Sequence, residues 1–119
     1  MAIPSGSGTE VLKRVTKEYN GNSQTSPTND FKILDGVANH IYTILSINCY
    51  NTYSGDRTCK VNLKEDATHF RNLFSVTVGQ DKTFFWEGKI ILSGTDELFV
   101  FSNGNNSYWW ISYIDQDFT

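Results

Sequence analysis

Two carboxylates near the end of the chain have the spacing that best suits ligand chemistry. Asp115 and Asp117 are separated by the single residue Gln116. On an extended strand their side chains point the same way, as oxygen ligands of a hard cation would. Two carboxylates without further acidic partners make a weak site, so the interpretation we favour is an acidic, solvated end to the last strand. We predict no metal ion and no cofactor.

Histidine and serine supply no catalytic arrangement. His40 and His69 are the only histidines, and their spacing from each other and from the cysteines is not that of zinc ligands. A serine nucleophile needs a base and an orienting acid, and no Gly-x-Ser-x-Gly elbow is present. Asn105, Asn106 and Ser107 match a glycosylation acceptor, which is more simply the tip of a hairpin. We therefore predict no catalytic residues and no enzymatic activity.

Large aromatic side chains are the remaining candidates for function. The last third of the chain holds more rings than one sheet face can bury, namely Phe84, Phe85, Trp86, Phe99, Phe101, Tyr108, Trp109, Trp110 and Tyr113. Trp109 and Trp110 are adjacent, so on a strand their rings point to opposite faces, and one needs a second surface to cover it. Such rings suit either a subunit interface, which we favour, or a platform for stacking sugars.

The elements that position these residues are predicted to be β-strands. Aromatic and β-branched residues, with turn residues every 8 to 12 positions, predict about seven or eight strands at Thr9–Tyr19, 31–34, His40–Asn51, 58–64, Phe70–Val78, 83–92, Glu97–Ser102 and 107–114. This pattern is typical of an all-β antiparallel sandwich or jelly roll. Because turns at 93–96 and 103–106 separate the last three strands, we expect an antiparallel meander there.

Two further expectations concern His40–Asn51. Strict alternation places its odd-numbered residues, Leu45 among them, on the face that meets the core. A hairpin turn at Ser54 and Gly55 would bring Cys49 and Cys59 opposite each other. They would then form either a disulfide or two buried thiols, and we favour the thiols because free cysteine commonly packs as a small apolar residue.

The whole chain sets limits on the class of protein. Its 119 residues fit one domain, which we place at residues 9–119 behind a flexible arm of residues 1–8. A polar loop at residues 20–30 has no assigned role. The net charge is −3 and the ten basic residues are scattered, so we predict no nucleic-acid partner. No apolar stretch is long enough to span a bilayer and no secretory signal opens the chain, so we predict no membrane partner.

Four segments resemble small virion structural proteins of tailed bacteriophages. They read MAIPSGSGTEVLKR at residues 1–14, IYTILSI at 41–47, FWEGKIILSGTDEL at 85–98 and SYIDQD at 112–117. The resemblance extends over most of the chain, and its motifs mark strands and turns rather than active residues.

This resemblance implies a non-enzymatic subunit located in the virion and assembled in the cytoplasm of the bacterial host. The role it favours is a capsid decoration or cement protein, whose partners would be copies of itself, as in a trimer, and the major capsid protein or another virion protein. A tail, neck or fibre component that binds a carbohydrate or receptor is the alternative. The contact residues we expect are Ile3, Val11, Leu12, Phe101, Tyr108, Trp109 and Trp110.

Overall fold

A computed structural model describes residues 9–19, 31–66, 69–104 and 106–119. These residues form eight strands and no helix: β1 (Thr9–Tyr19), β2 (Phe31–Asp35), β3 (His40–Asn51), β4 (Arg57–Lys64), β5 (Phe70–Val78), β6 (Lys82–Ser93), β7 (Glu97–Ser102) and β8 (Ser107–Asp117). The predicted all-β sandwich is confirmed. The arm predicted at residues 1–8 and the loop predicted at 20–30 lie outside the described residues.

The strands form two four-stranded antiparallel sheets. Sheet 1 has the order β1-β8-β3-β6, and sheet 2 has the order β2-β7-β4-β5. The pairs are nested along the chain, because β1 pairs with β8, β2 with β7, β3 with β6 and β4 with β5. Contacts of β3 with β8 and of β4 with β7 complete the two sheets. This wrapping of one long hairpin into two sheets is the jelly-roll arrangement.

The meander predicted for the last three strands is wrong. β7 lies in sheet 2, whereas β6 and β8 lie in sheet 1 on either side of β3. The expected hairpin between β3 and β4 is wrong for the same reason, since these strands also belong to different sheets. Glycine, asparagine and aspartate suit a tight hairpin and a crossing between sheets equally well. The burial of both inner faces decides between them.

A β-bulge corrects the predicted core face of β3. The register with both neighbours shifts between Ile44 and Ser46. Relative to β8, Leu45 is an extra residue in β3, whereas relative to β6 the extra residue lies in β6. Tyr42 and Ile44 therefore face the core on one side of the bulge, and Ile47 and Cys49 face it on the other. Strict alternation predicted Ile47 and Cys49 correctly but failed beyond the bulge, because one extra residue reverses the face of every side chain that follows.

The core lies between the inner faces of the two sheets. Its buried apolar residues are Ile33, Leu34, Tyr42, Ile44, Ile47, Cys49, Cys59, Val61, Val78, Leu92, Leu98, Val100, Trp109, Ile111 and Tyr113. Phe84 and Trp86 pack against this cluster from β6, an edge strand of sheet 1. Sheet 1 therefore contributes the largest rings to the core.

The two cysteines meet across the sandwich rather than across a hairpin. Cys49 in sheet 1 and Cys59 in sheet 2 are both fully buried free thiols. The Cys49 thiol donates a hydrogen bond to the Cys59 sulfur over 3.1 Å. This hydrogen bond, together with burial, raises the pKa of the Cys49 thiol. Because both sulfurs are fully buried, the pair packs as two small residues between the sheets.

We expect both thiols to be inaccessible in the folded protein. Native protein treated with N-ethylmaleimide should gain no adduct, because neither sulfur reaches the surface. The same protein unfolded in guanidinium chloride without reductant should gain two adducts, one for each cysteine in the sequence. Intact-mass spectrometry distinguishes the states. Failure of the unfolded chain to react would show a disulfide and contradict the free-thiol assignment.

Gly36 allows a close approach between the β2–β3 and β6–β7 connections. Its amide donates a hydrogen bond of 2.8 Å to the Asp96 carbonyl. A Cβ at this position would lie 2.5 Å from the Gly94 carbonyl oxygen and 2.6 Å from that of Asp96. Because both atoms are backbone, they cannot move aside as a flexible side chain would.

We expect Gly36→Ala to destabilise the fold by about 1–3 kcal/mol, the usual penalty for forcing extra atoms into a packed site. The measurement is urea denaturation followed by tryptophan fluorescence. Gly79→Ala is the matched control, since a Cβ there would meet the nearest side chain at an ordinary 3.5 Å. Equal midpoints for the two variants would contradict the close approach at Gly36.

Candidate interaction surface

The outer face of sheet 1 carries three of the exposed large hydrophobic side chains found in the described part of the chain. Its strand register aligns side chains into rows that cross all four strands. One row contains Leu12, Ile114, Thr43 and Ile91. The next contains Arg14, Ser112, Ser46 and Glu87. The third contains Thr16, Trp110, Asn48 and Phe85. We call these three rows the apolar face, because their apolar side chains lie in the two outer rows, on either side of a polar row.

Three hydrophobic side chains of the apolar face are more than half exposed. The exposed fractions are 71% for Leu12, 55% for Phe85 and 53% for Ile91. An open depression of about 650 Å³ lies among them, with Leu12, Leu45 and Phe85 as apolar lining and Arg14 and Glu87 among its charged lining. Contiguous apolar surface of this kind usually marks a contact with a partner.

Strand alternation explains why these side chains remain outside. In β6, Phe84 and Trp86 pack against the core, so Phe85 and Glu87 between and beyond them point outward. Leu45 lines the depression because the bulge in β3 removes it from the inner row. The alternation of β6 in the sequence predicts that Phe85 and Glu87 point outward. The outward position of Leu45 depends on a bulge, which the sequence does not indicate.

Three of the predicted contact residues come together on the outer side of sheet 1. Leu12 and Trp110 belong to the apolar face, and Tyr108 lies in the adjoining row, where it pairs with Glu18 and Tyr50. Trp110 and Tyr108 are half-buried. Phe85 and Ile91 were not among the predicted contact residues, although both are more exposed than the rings of Trp110 and Tyr108.

The other predicted contact residues are dispersed. Val11 is exposed on the edge strand β1. Trp109 is only 1% exposed and belongs to the core, so its ring is not offered to a partner. Phe101 lies on β7 of the opposite sheet, with the Lys60 ammonium 5.3 Å from its ring centre. Ile3 lies outside the described residues.

Sheet 2 has aromatic side chains on its own outer face. Phe70 on β5 is half exposed, and its ring packs against Phe99 with 5.4 Å between centres. Phe101 and its neighbour Lys60 belong to the same side. The two outer faces differ in their exposed apolar groups, because sheet 2 presents aromatic rings whereas the apolar face also presents the aliphatic side chains of Leu12 and Ile91, both more than half exposed.

The two carboxylates considered as cation ligands are engaged by other side chains. Asp115 accepts hydrogen bonds from Lys13 Nζ at 2.8 Å and from His40 Nδ1 at 2.7 Å. Asp117 lies 3.3 Å from His40 Nε2 and accepts a hydrogen bond from the Thr119 amide at 2.9 Å. The favoured expectation of a solvated end is wrong for Asp115, which is buried. Among the described residues, no group of three or more potential metal ligands occurs.

The Asp115 carboxylate is held in its charged form. Burial alone would raise its pKa, but hydrogen bonds from Lys13 and His40 and their positive potential outweigh burial, so its pKa lies below the usual value. Burial raises the pKa of the neighbouring Tyr42 and Tyr113 hydroxyls, so both stay neutral. The cluster joins β1, β8 and β3, and its chemistry is structural.

The described residues contain no helix that is long and apolar enough to cross a membrane. No protein-family model matches the chain. No curated protein sequence matches it either.

Several solved structures share the fold. A subunit of the disulfide-linked pili that form Bacillus endospore appendages aligns with a TM-score of 0.53 and 12% identity over 100% of this chain and 97% of that one. The capsid structure of Helicobacter pylori bacteriophage KHP30 gives a TM-score of 0.55 and 10% identity over 93% and 90%. A virus-like particle of the extra small virus of the prawn Macrobrachium rosenbergii gives 0.52 and 9% over 100% and 85%. At these identities the likeness establishes the fold alone.

We expect Asp115→Asn to destabilise the protein at pH 7 by about 1–3 kcal/mol, because it removes the charge that Lys13 and His40 surround. A carboxylate with a lowered folded pKa stabilises the protein above its unfolded pKa, near 4, and this contribution is lost as the pH falls through the folded pKa. The difference in the free energy of unfolding between wild type and variant, measured by urea denaturation, should therefore become smaller toward pH 3.

Asp117→Asn is the matched control for this pH dependence, since Asp117 shares His40 but is far more exposed than Asp115. It should lose less stability than Asp115→Asn at pH 7. Equal losses, or an Asp115→Asn gap that persists at pH 3, would contradict the role assigned to the buried carboxylate.

Proposed function

We propose that the chain is a non-enzymatic structural protein of a virus particle, acting as a capsid decoration or cement protein of a tailed bacteriophage. The observation that carries this proposal is the apolar face, where three aliphatic or aromatic side chains are more than half exposed. A jelly roll by itself supports many functions, so the fold alone does not indicate this role.

The physical role of such a surface is to hold neighbouring subunits together. Burying apolar area against a partner contributes roughly 25 cal/mol per Å². The inner face of sheet 1 already contacts sheet 2, so the outward residues are free to contact another subunit. A subunit that contacts several shell proteins through this face would link them against internal pressure. The partners we propose are copies of this chain, as in a trimer, together with the major capsid protein or another virion protein.

The shared fold is compatible with this role. Two of the structures reported above come from a phage capsid and a virus-like particle, and the third comes from a pilus. All three are assemblies of repeated subunits. We further propose that residues 9–119 form one domain, that residues 1–8, with Ile3, reach a neighbouring subunit, and that assembly occurs in the bacterial cytoplasm.

A second candidate is a tail, neck or fibre component that binds a carbohydrate or receptor. The row that contains Trp110 and Phe85 favours it, because both rings lie on one sheet face and rings so placed can stack on a sugar. The Asn48 amide between them is buried and does not add to this platform. The Asn103 amide is engaged within the chain, since its oxygen accepts a hydrogen bond from the Thr58 backbone amide. This candidate uses the same face but a different partner.

The test is to mix the purified protein with empty capsids that lack it, assembled from the shell protein of the same virus, and to image them by electron microscopy. We expect density at regular positions on the shell. Phe85→Glu should weaken binding about tenfold or more, the effect of removing an aromatic contact residue, as measured by co-sedimentation.

Phe70→Glu is the matched control for the capsid experiment, because Phe70 is similarly exposed on the outer side of sheet 2. It should bind shells as wild type does. Undecorated shells, together with quenching of tryptophan fluorescence by an added sugar, would favour the tail or fibre candidate. Equal loss of binding in both variants would contradict the assignment of the apolar face.

A further inference from the structure

β1 differs from the other three strands that end a sheet. Its eleven pairs with β8 run without a shift in register. The pairings of β2, β5 and β6 with their neighbours each contain a shift. Bulges and irregular register protect sheet edges from pairing with another chain. Among the described strands, β1 alone retains a continuous edge.

The side chains of β1 are also open to contact. Leu12 is 71% exposed and Val11 is 47% exposed. β1 ends its sheet, so no described strand pairs with the edge away from β8. A strand in this position presents a row of backbone donors and acceptors that another extended strand can satisfy.

We propose that β1 pairs antiparallel with β1 of a second copy of this chain, about a two-fold axis through Leu12. An axis perpendicular to the sheet keeps the outer face of both copies on the same side. Paired residue numbers then sum to 24, so Leu12 faces its own counterpart. Glu10 faces Arg14 of the other copy, and the symmetry repeats this pair.

Charge complementarity and the pairing of exposed apolar residues together favour this register. Centring the axis on Lys13 or on Arg14 would place a cation opposite its own copy, and centring it on Val15 would place Lys13 opposite Lys17. An axis through Thr16 would oppose Arg14 to Glu18 but would leave the exposed Val11 and Leu12 without a partner in β1. The axis through Leu12 opposes no like charges along β1 and pairs both of these residues. It places Lys13 beside Val11 of the other copy, and the Lys13 ammonium is already bound to Asp115 at 2.8 Å.

The pairing would also extend the apolar face. The row from Ile91 to Leu12 would continue across the axis into the same row of the second copy, which joins two four-stranded sheets into one of eight strands. This inference rests on the proposed function in one respect, because it names the surface for the self-association that a decoration subunit needs.

Cross-linking tests the register directly. Paired Cα atoms in an antiparallel sheet lie about 4.5–5.5 Å apart, within disulfide range. In Leu12→Cys, two thiols at the axis should lose two protons and two electrons to oxidised glutathione, which becomes two reduced molecules, and form an intermolecular disulfide. In the control Thr16→Cys, the thiols of the two copies would be offset along the paired strands by the length of eight residues, about 27 Å. They should remain unlinked.

A charge exchange tests the interaction without a covalent bond. Glu10→Arg and Arg14→Glu each replace two attractive pairs with two repulsive ones, so each should weaken dimerisation about tenfold or more in sedimentation equilibrium. The double variant Glu10→Arg/Arg14→Glu should restore wild-type association. Lys89→Glu is the control, since it alters charge on the bulged edge strand β6 and should leave association unchanged.

The outcomes separate this inference from the proposed function. A Leu12→Cys disulfide with rescue by the double variant supports the pairing. A wild-type monomer at high micromolar concentration, equal cross-linking of both cysteine variants, or no rescue would overturn it. Shell decoration retained by Glu10→Arg, whose residue lies outside the apolar face, would leave the proposed function in place, whereas intact dimers that do not bind shells would contradict only that function.

Discussion

The fold depends on the burial of two sheet faces against each other. β3 is central to this burial, since it pairs with both β6 and β8 and contributes Ile44, Ile47 and Cys49, all fully buried. The Cys49 thiol reaches Cys59 in the opposite sheet. A single four-stranded sheet of this sequence would leave its apolar face in water. Nested pairing solves the problem, because it divides consecutive strands between two sheets and lets each cover the other.

The same constraint explains the apolar face. Once the inner faces are buried, strand alternation leaves every second residue outside the core. Polar residues at those positions would support the fold equally well. Leu12, Phe85 and Ile91 therefore add little to the folding of an isolated subunit while exposing apolar groups to water. The proposed self-association and shell binding would give these residues a physical role that the fold alone does not.

The sequence predicts strands better than it predicts their partners. Alternation and turn residues located all eight strands, since both signals are local. The pairing of β6 with β3 instead of β7 depends on contacts between distant residues, which local patterns do not record. The bulge at Leu45 changed the face of part of β3. Likewise, the pair Trp109 and Trp110 indicated that one ring must lie outside, but only the register with Cys49 identifies Trp109 as the inner one.

The edges of the two sheets limit how this subunit can assemble. A two-fold contact through β1 uses the same strand on both copies, so it closes after two subunits. Irregular register in β2, β5 and β6 opposes further growth at the other edges. The ion pair of Lys13 with Asp115 holds β1 to its own sheet, so its open edge is attached to a stable sandwich. If β1 pairs as proposed, a larger assembly would need further contacts, either through the segment of residues 1–8 or through the faces, and the apolar face of sheet 1 has exposed hydrophobic side chains suited to such a contact.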